Sequence, residues 1–244
     1  MTTPDGRAAL GAARPSGIGD LLVSSRSFAE YQRMFALTDR DFAGRILDCP
    51  GGAAGFTAEA TAAGGTVRAC DPVYDSDPDQ LARRAESELR RAGDYVQQHP
   101  DEYEWSFFDR PDDYYARRRA SAALFIADYR EHRERYVTAS LPVLPFPEGA
   151  FDLVLCSHFL FSYADRFDLA FHAAAIVELV RVSTGAVRIY PVFPMGSGPL
   201  LDLAPLEAIL ADQGISEQRI STTLVEVDYQ FQRGEPVMLE CRRA

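Results

Sequence analysis

Two amino acids are missing altogether from the 244 residues, lysine and asparagine. Without lysine the chain can form neither a Schiff base nor the phosphate contact of a P-loop. Without asparagine it holds no acceptor for N-glycosylation. Long hydrophobic runs are missing too, and residues 1–20 lack the apolar segment of a signal peptide. We therefore expect a cytoplasmic protein with no membrane partner.

Cysteine and positive charge are both scarce. The four cysteines stand singly, without the spacing of metal ligands, so we interpret them as buried small residues in a reducing compartment and expect no metal site. Asp and Glu number 36 against 25 basic residues, which gives a net charge of −11. Such a balance disfavours binding to a phosphate backbone, so we expect no nucleic-acid partner.

One region has the pattern of a strand, a glycine turn, a helix and a second strand that ends in an acid. An apolar strand signal at 46–49 is broken by a Pro-Gly-Gly turn at 50–52. An alanine-rich helix is predicted at 56–63 and a second strand at 66–70, after which Asp71 follows. The pattern predicts that Asp71 lies at the carboxyl edge of a parallel sheet, where such sheets bind ligands.

The chemistry of this pattern suits a nucleoside. Small residues in the turn let the backbone approach a ligand, and the N-terminus of the next helix offers N–H groups. A carboxylate at the end of the second strand can accept hydrogen bonds from both hydroxyls of a ribose. The region therefore predicts a cofactor that carries a nucleoside, while a glycine turn without any ligand is the structural alternative.

The rest of the chain is predicted as a flexible arm at 1–20 and one α/β domain at 21–244. Near the start of the domain, apolar residues at helical spacing predict a helix capped near Ser25. Between the second and third strands, residues 75–135 exceed what a short crossover helix needs and contain two helical segments. This insertion is either a lid over the substrate or a surface decoration.

The later elements follow the same α/β alternation. Strands are predicted at 136–138, 151–156, 186–193, 222–231 and 237–241, and helices at 81–98, 116–135, 165–182 and 201–212. The five-residue turn QRGEP between the last two strands predicts that they are antiparallel. His172 lies within the predicted helix at 165–182 and is interpreted as a packing residue.

Two motifs carry a resemblance to a known family. Asp48 to Ala54 is similar to the loop D-x-G-x-G-x-G, of which it keeps the acid and the central glycine, and LPFPEGAFDLVLCSH at 144–158 is similar to LPFPDGSFDLV. With these motifs the chain resembles the class I S-adenosylmethionine-dependent methyltransferases along nearly all of its length. Its endings, such as VRIYPVF and VDYQFQRGEPVML, are similar to a bacterial subgroup of the small-molecule type.

The resemblance implies a fold, a cofactor and a site. The fold is a doubly wound, Rossmann-like α/β sheet of seven mostly parallel strands with an antiparallel last strand and a helical insertion after the second strand. The cofactor is S-adenosyl-L-methionine, the partner is a small-molecule substrate, and a homodimer is left open. The residues that the resemblance assigns to the cofactor are Asp48, Pro50, Gly51, Gly52, Asp71, Pro72, Ser140, Leu141 and Ser157. Arg26 and Tyr31, in the region of the first predicted helix, are added as residues that cover the bound cofactor, and the structural alternative is that this helix packs against the end of the sheet.

Two residues are candidates for catalysis by a small-molecule methyltransferase. If the acceptor is a hydroxyl, His158 is the first candidate for the base that takes its proton. Tyr163 is placed to orient the acceptor. The structural alternative for His158 is a neutral imidazole bonded to a backbone carbonyl.

Other functions compete with methyl transfer. Relatives of the fold close S-adenosylmethionine itself into a small ring, such as azetidine-2-carboxylate, and release methylthioadenosine. A nicotinamide-dependent oxidoreductase is a third reading, because the segment PGGAAG at 50–55 is one substitution from G-x-G-x-x-G, although the terminal hairpin disfavours it. A non-catalytic cofactor-binding protein is the fourth. The segment DPVY at 71–74 is similar to a DNA methyltransferase signature, D-P-P-Y, but follows the wrong strand.

Overall fold

The computed structural model describes residues 8–9, 21–195, 200–212 and 219–244. Seven strands form the main sheet: β1 (Arg45–Asp48), β2 (Thr66–Cys70), β3 (Tyr136–Val137), β4 (Phe151–Ser157), β5 (Ser183–Tyr190), β6 (Ile220–Glu226) and β7 (Val237–Arg243). Their order in the sheet is β3-β2-β1-β4-β5-β7-β6. A separate short strand, Ala8–Ala9, pairs in parallel with Leu201–Asp202. The rest of the predicted N-terminal arm lies outside the described residues.

The directions of the strands decide the fold class. Strands β1 to β5 pair in parallel, whereas β7 is antiparallel to both β5 and β6. The chain reverses between β6 and β7, where the Val227 N–H donates to the Pro236 carbonyl at 2.8 Å. The predicted sheet, mostly parallel with an antiparallel last strand, is therefore confirmed. This topology agrees with the fold that the resemblance to the class I methyltransferases implies.

The described ranges hold the α-helices α1 (Phe28–Met34), α2 (Asp39–Phe42), α3 (Phe56–Ala62), α4 (Pro78–Gln98), α5 (Pro111–Glu131), α6 (Leu169–Arg181) and α7 (Ala204–Asp212). Helices α4 and α5 lie between β2 and β3, which confirms the predicted insertion. Several boundaries differ from the predicted ones, and two of the differences have a local cause. Helix α1 is capped by Ser27 rather than near Ser25, because Ser27 and Glu30 form a reciprocal capping box. The helix predicted from residue 201 begins at Ala204, since residues 201–202 form a strand.

Helices cover both faces of the sheet. On β4, Leu153 and Leu155 belong to the core that α1 and α3 cover, whereas Val154 and Cys156 belong to the core under α6 and α7. Successive side chains of a strand point to opposite faces, so this alternation shows that the sheet is doubly wound, as predicted. The four cysteines are all buried and unpaired. A search of the described helices for a membrane-spanning segment found none.

The insertion is anchored to the connection between β6 and β7. In the segment that joins α4 to α5, the rings of Trp105 and Phe108 lie 5.7 and 4.9 Å from the ring of Phe231. The backbones pair there as well, because the Glu104 N–H donates to the Phe231 carbonyl at 2.7 Å. Aromatic side chains of the insertion therefore serve as packing anchors. The lid remains a prediction.

We predict that Phe231→Ala destabilises the fold, because Phe231 is 5% exposed and its ring packs against four aromatic rings, those of Tyr103, Trp105, Phe108 and Tyr114. The free energy of unfolding should fall by about 3–5 kcal/mol in urea denaturation. The matched control Leu124→Ala, at a side chain 45% exposed, should change it by less than about 0.5 kcal/mol. Equal losses for the two variants would contradict this anchoring role.

Candidate functional site

A cavity of about 290 Å³ opens where β1, β2 and β4 end. It lies at the carboxyl edge of the parallel strands, where the sequence places its candidate ligand site. Most of the predicted residues line it, namely Tyr31, Pro50, Gly51, Gly52, Asp71, Pro72, Ser140, Leu141, Ser157, His158 and Tyr163. Arg26 and Asp48 do not. The fold therefore brings most of the predicted set to one place from widely separated parts of the chain.

The turn after β1 needs its two glycines. Gly52 has φ +54°, in the left-handed region, and a Cβ there would lie 3.0 Å from the carbonyl oxygen of Ser24. A Cβ on Gly51 would lie 2.6 Å from the hydroxyl oxygen of Tyr74. Both positions therefore exclude larger residues through contacts within the protein. Because neither glycine has a side chain, backbone atoms form this part of the cavity wall.

The backbone N–H groups of Gly51, Gly52 and Ala53 in this turn are not free for a ligand. The N–H of Gly51 donates to the Cys70 carbonyl at 3.0 Å, and the N–H of Gly52 donates to Oδ2 of Asp71 at 2.9 Å. The next N–H, on Ala53, donates to the Ser24 carbonyl at 3.0 Å. The turn can therefore hold a ligand through close approach, but these three donors are already used.

Asp71 braces the turn and also faces the cavity. Its Oδ2 accepts from the Gly52 N–H at 2.9 Å and its Oδ1 accepts from the Val73 N–H at 3.0 Å. Burial raises the pKa of Asp71, while these two N–H groups and the charge of Arg84 act in the opposite direction. A carboxylate offers about four lone-pair sites. Asp71 is 7% exposed and lines the cavity. Its carboxylate can thus accept two more hydrogen bonds from a ligand there.

Asp48 lies beneath the site. It is 1% exposed, and the Tyr31 hydroxyl donates to its two carboxylate oxygens at 3.0 and 3.1 Å. Burial raises the pKa of Asp48 well above its usual value, the hydrogen bond from Tyr31 opposes this shift, and the nearby Asp71 charge adds to it. Tyr31 in turn stacks on Phe56, with ring centroids 4.3 Å apart. Asp48 therefore positions Tyr31, which forms part of the cavity wall.

Ser157 and His158 stand at the end of β4, as predicted. Ser157 Oγ and His158 Nδ1 are 3.0 Å apart, and the His158 N–H donates to the Tyr190 carbonyl at 2.6 Å. Burial lowers the pKa of His158 well below its usual value, and the charges of Arg26 and Arg118 lower it further. The imidazole is therefore neutral near pH 7. Its φ of +48° marks a strained backbone at this point.

The other two predicted side chains have structural partners. The Tyr163 hydroxyl accepts a hydrogen bond from the Leu22 N–H at 2.9 Å, so Tyr163 holds the segment before α1 against the cavity. His172 is fully buried and contacts the carbonyls of Asp168 and Leu160 at 2.7 and 3.0 Å. His172 is therefore a packing residue, as interpreted from its place within a helix.

Several residues of the cavity wall were missed by sequence reasoning. They are Leu21, Leu22, Val23, Ser24, Cys49, Cys70, Val73, Arg84, Ala139, Phe159, Phe167 and Phe171. Arg84 is the single cationic side chain among the wall residues that the structure describes. Nothing in the sequence distinguishes it from the other arginines of α4. A search of the described ranges found no group of three or more side chains that could hold a metal ion.

Comparisons with known proteins give one relative in sequence and several solved structures to which the chain is similar. No family model matches it. An uncharacterized protein of Methanocaldococcus jannaschii is 28% identical over 229 residues, which are 92% of this chain and 97% of that protein. Among solved structures, magnesium protoporphyrin IX methyltransferase of Synechocystis PCC 6803, with bound S-adenosylmethionine, is 14% identical and covers 82% of this chain and 70% of its own, with a TM-score of 0.37.

Two further solved structures are similar at the same level. A methyltransferase of Aquifex aeolicus is 15% identical, covers 82% of this chain and 81% of its own, and has a TM-score of 0.38. An O-methyltransferase of neocarzinostatin biosynthesis is 14% identical, covers 88% of this chain and 54% of its own, and has a TM-score of 0.45. At these identities and scores, the comparisons identify no substrate for this chain.

We predict that the buried neutral His158 makes stability depend on pH. Below its ordinary pKa of about 6.5 the unfolded chain binds a proton that the folded chain does not, so the free energy of unfolding falls as the pH is lowered. Between pH 6 and 5, the free energy of unfolding of the wild-type protein should fall more steeply with falling pH than that of His158→Asn. The difference between the two slopes should approach about 1.4 kcal/mol per pH unit. Asparagine is chosen because it tolerates positive φ.

The measurement is urea denaturation of each variant between pH 5 and 8. His132→Asn serves as the control, because the side chain of His132 is 40% exposed and lies away from the cavity. It should keep the slope of the wild-type protein. A wild-type slope in His158→Asn as well would show that the imidazole titrates normally in the folded protein.

Proposed function

We propose that the chain binds S-adenosyl-L-methionine in the cavity at the ends of β1, β2 and β4 and transfers its methyl group to a small molecule. One observation supports this most strongly: Asp71, the glycine turn and His158 meet in the same cavity. A sugar-binding carboxylate, a surface for close approach and a neutral imidazole are the groups that a nucleoside cofactor and a hydroxyl acceptor need.

The residues present fit the cofactor. The Asp71 carboxylate would accept hydrogen bonds from the ribose hydroxyls, and Ser140 and Leu141 would form the wall beside the adenine. The turn at 50–52 would lie beside the methionine part, where glycine permits close approach. The cavity volume of about 290 Å³ is near the lower end of the range of small-molecule sites, which is about 300–1,000 Å³.

Bound S-adenosylmethionine would supply a methyl group on a positively charged sulfur, ready for in-line displacement. The contribution of this chain is to hold the acceptor in line and to exclude water, which is where most of the acceleration of such a reaction can arise. Phe159, Phe167 and Phe171 form an apolar side of the cavity. His158 would take the proton of a hydroxyl acceptor, since its lowered pKa keeps it neutral near pH 7.

We predict that S-adenosylhomocysteine binds the wild-type protein in calorimetry and that NAD does not. Asp71→Ala should weaken the binding by about 1–3 kcal/mol, because two ribose hydroxyls lose their acceptor. Tight binding of NAD with none of S-adenosylhomocysteine would instead support an oxidoreductase.

A matched control is needed because Asp71 also braces Gly52. Tyr74→Phe removes the other side-chain hydrogen bond to Gly52, in which the Tyr74 hydroxyl donates to the Gly52 carbonyl at 2.9 Å. Tyr74 does not line the cavity. We expect Tyr74→Phe to bind S-adenosylhomocysteine nearly as tightly as wild type. If both variants lose the same affinity, Asp71 acts only through the turn and the proposed ribose contact is wrong.

The small volume of the cavity favours a second candidate function. A site of about 290 Å³ that holds a nucleoside cofactor leaves little room for an acceptor beside it, which suits a cyclase that uses S-adenosylmethionine as its only substrate. Incubation of the pure protein with S-adenosylmethionine alone separates the two. Methylthioadenosine formed without an acceptor would support the cyclase, whereas no turnover until a small acceptor is added would support methyl transfer.

A further inference from the structure

A second, smaller cavity adjoins the first. Its volume is about 50 Å³, and the segment Leu22–Ser24 lines both cavities. Its walls come from the start of α1, from α4 and α5 of the insertion and from the connection between β6 and β7. Two arginines, Arg26 and Arg118, lie in these walls.

Arg118 is buried with part of its guanidinium unused. The side chain is 3% exposed, and its Nη2 forms an ion pair with Glu30 Oε1 at 2.7 Å. The Tyr229 hydroxyl donates to the same oxygen at 2.7 Å. The Nε of Arg118 is buried and has no hydrogen-bond partner within the described part of the chain. One donor of a buried cation is therefore left for a ligand.

Arg26 repeats this pattern without a carboxylate. Its Nη1 donates to Ser24 Oγ, and its Nε is buried without a partner among the residues described. Burial lowers the pKa of Arg26, and the neighbouring charge of Arg118 lowers it further. Two like charges therefore lie close together in the wall of this cavity.

The charged side chains in and directly bonded to the wall of this cavity do not balance. Arg26 and Arg118 supply two positive charges, and Glu30 neutralises one of them. The other acid in the wall, Glu88, is bonded to Arg91 at 2.9 Å. A buried charge without a counter-charge is unfavourable, so binding of an anion in the cavity is favoured. A site of about 50 Å³ can hold a carboxylate group, since one water needs about 10–15 Å³ on this measure.

We propose that this smaller cavity binds the carboxylate of a small organic acid, with Arg26 and Arg118 as its donors, and that this acid is the methyl acceptor. The carboxylate site stands on the two guanidinium groups alone, whereas the role of the acid as acceptor rests on the proposed function. The two cavities share the wall segment Leu22–Ser24, so an acid anchored in the smaller cavity lies beside the larger cavity that His158 lines. Guanidinium groups suit carboxylates because they present paired N–H donors in one plane.

Calorimetry with acetate and benzoate, against acetamide and benzamide as neutral controls of the same shape, tests the site. At constant ionic strength the two carboxylates should bind saturably and the two amides should not. Arg26→Gln should weaken carboxylate binding at least tenfold. Arg84→Gln is the matched control, because Arg84 lines the larger cavity only. Carboxylate binding that survives Arg26→Gln, or that is lost in Arg84→Gln, would overturn the assignment.

Glu30→Gln should change the affinity for acetate in the opposite direction to Arg26→Gln. Removing Arg118 would strand the buried Glu30 and can prevent folding, whereas Glu30→Gln keeps the shape and removes the counter-charge. With two unbalanced guanidiniums the protein should bind acetate at least threefold more tightly. Thermal unfolding first confirms that each variant is folded. Unchanged or weaker binding in folded Glu30→Gln would contradict the charge argument.

The source of the carboxylate is settled by two ligands of the larger cavity. S-adenosylhomocysteine carries a carboxylate of its own, and methylthioadenosine does not. If Arg26→Gln weakens only S-adenosylhomocysteine, the smaller cavity holds the carboxylate of the cofactor and the acceptor assignment is wrong. If Arg26→Gln changes the affinity for both nucleosides equally, and acetate binds in their presence, the smaller cavity holds the carboxylate of a separate acid. If neither nucleoside binds while acetate does, the proposed function fails and the carboxylate site remains.

Discussion

The carboxylate of Asp71 joins the two turns on which the site depends. By accepting from the Gly52 N–H after β1 and from the Val73 N–H after β2, it fixes both turns relative to each other. Tyr74 adds a second link, from its hydroxyl to the Gly52 carbonyl. Because Gly52 also lies against Ser24, the same brace sets the position of the segment that separates the two cavities. One buried side chain therefore shapes the floor and one wall of the candidate site.

The fold was largely predictable because its signals are local. The strand at 66–70 was placed at its observed bounds, and the turn QRGEP predicted the antiparallel strand β7. Asp71 was predictable as well, since the end of a parallel strand faces the ligand edge of the sheet. The continuous apolar sequence of β4 does not show which face meets which helix, but the alternation of side chains along any strand fixes that Leu153 and Val154 face opposite ways.

The remainder of the site depends on contacts between distant segments. The Ala53 N–H donates to the Ser24 carbonyl rather than to a ligand. No local sequence pattern predicts a hydrogen bond between two residues so far apart in the chain. The smaller cavity is assembled from the start of α1, the insertion and the connection after β6, so the sequence does not show that Arg26 and Arg118 meet there. Arg26 was predicted as a cofactor residue from its position alone, and the structure places it in the wall of the other cavity.

The central claim is that Asp71 holds a ribose while it braces the turn. A crystal structure of the protein with S-adenosylhomocysteine tests this most directly. We expect the adenosine in the larger cavity, with both ribose hydroxyls within hydrogen-bond distance of the Asp71 carboxylate and the Gly52 and Val73 hydrogen bonds intact. A nucleoside bound elsewhere, or one bound in this cavity with no contact to Asp71, would contradict the account.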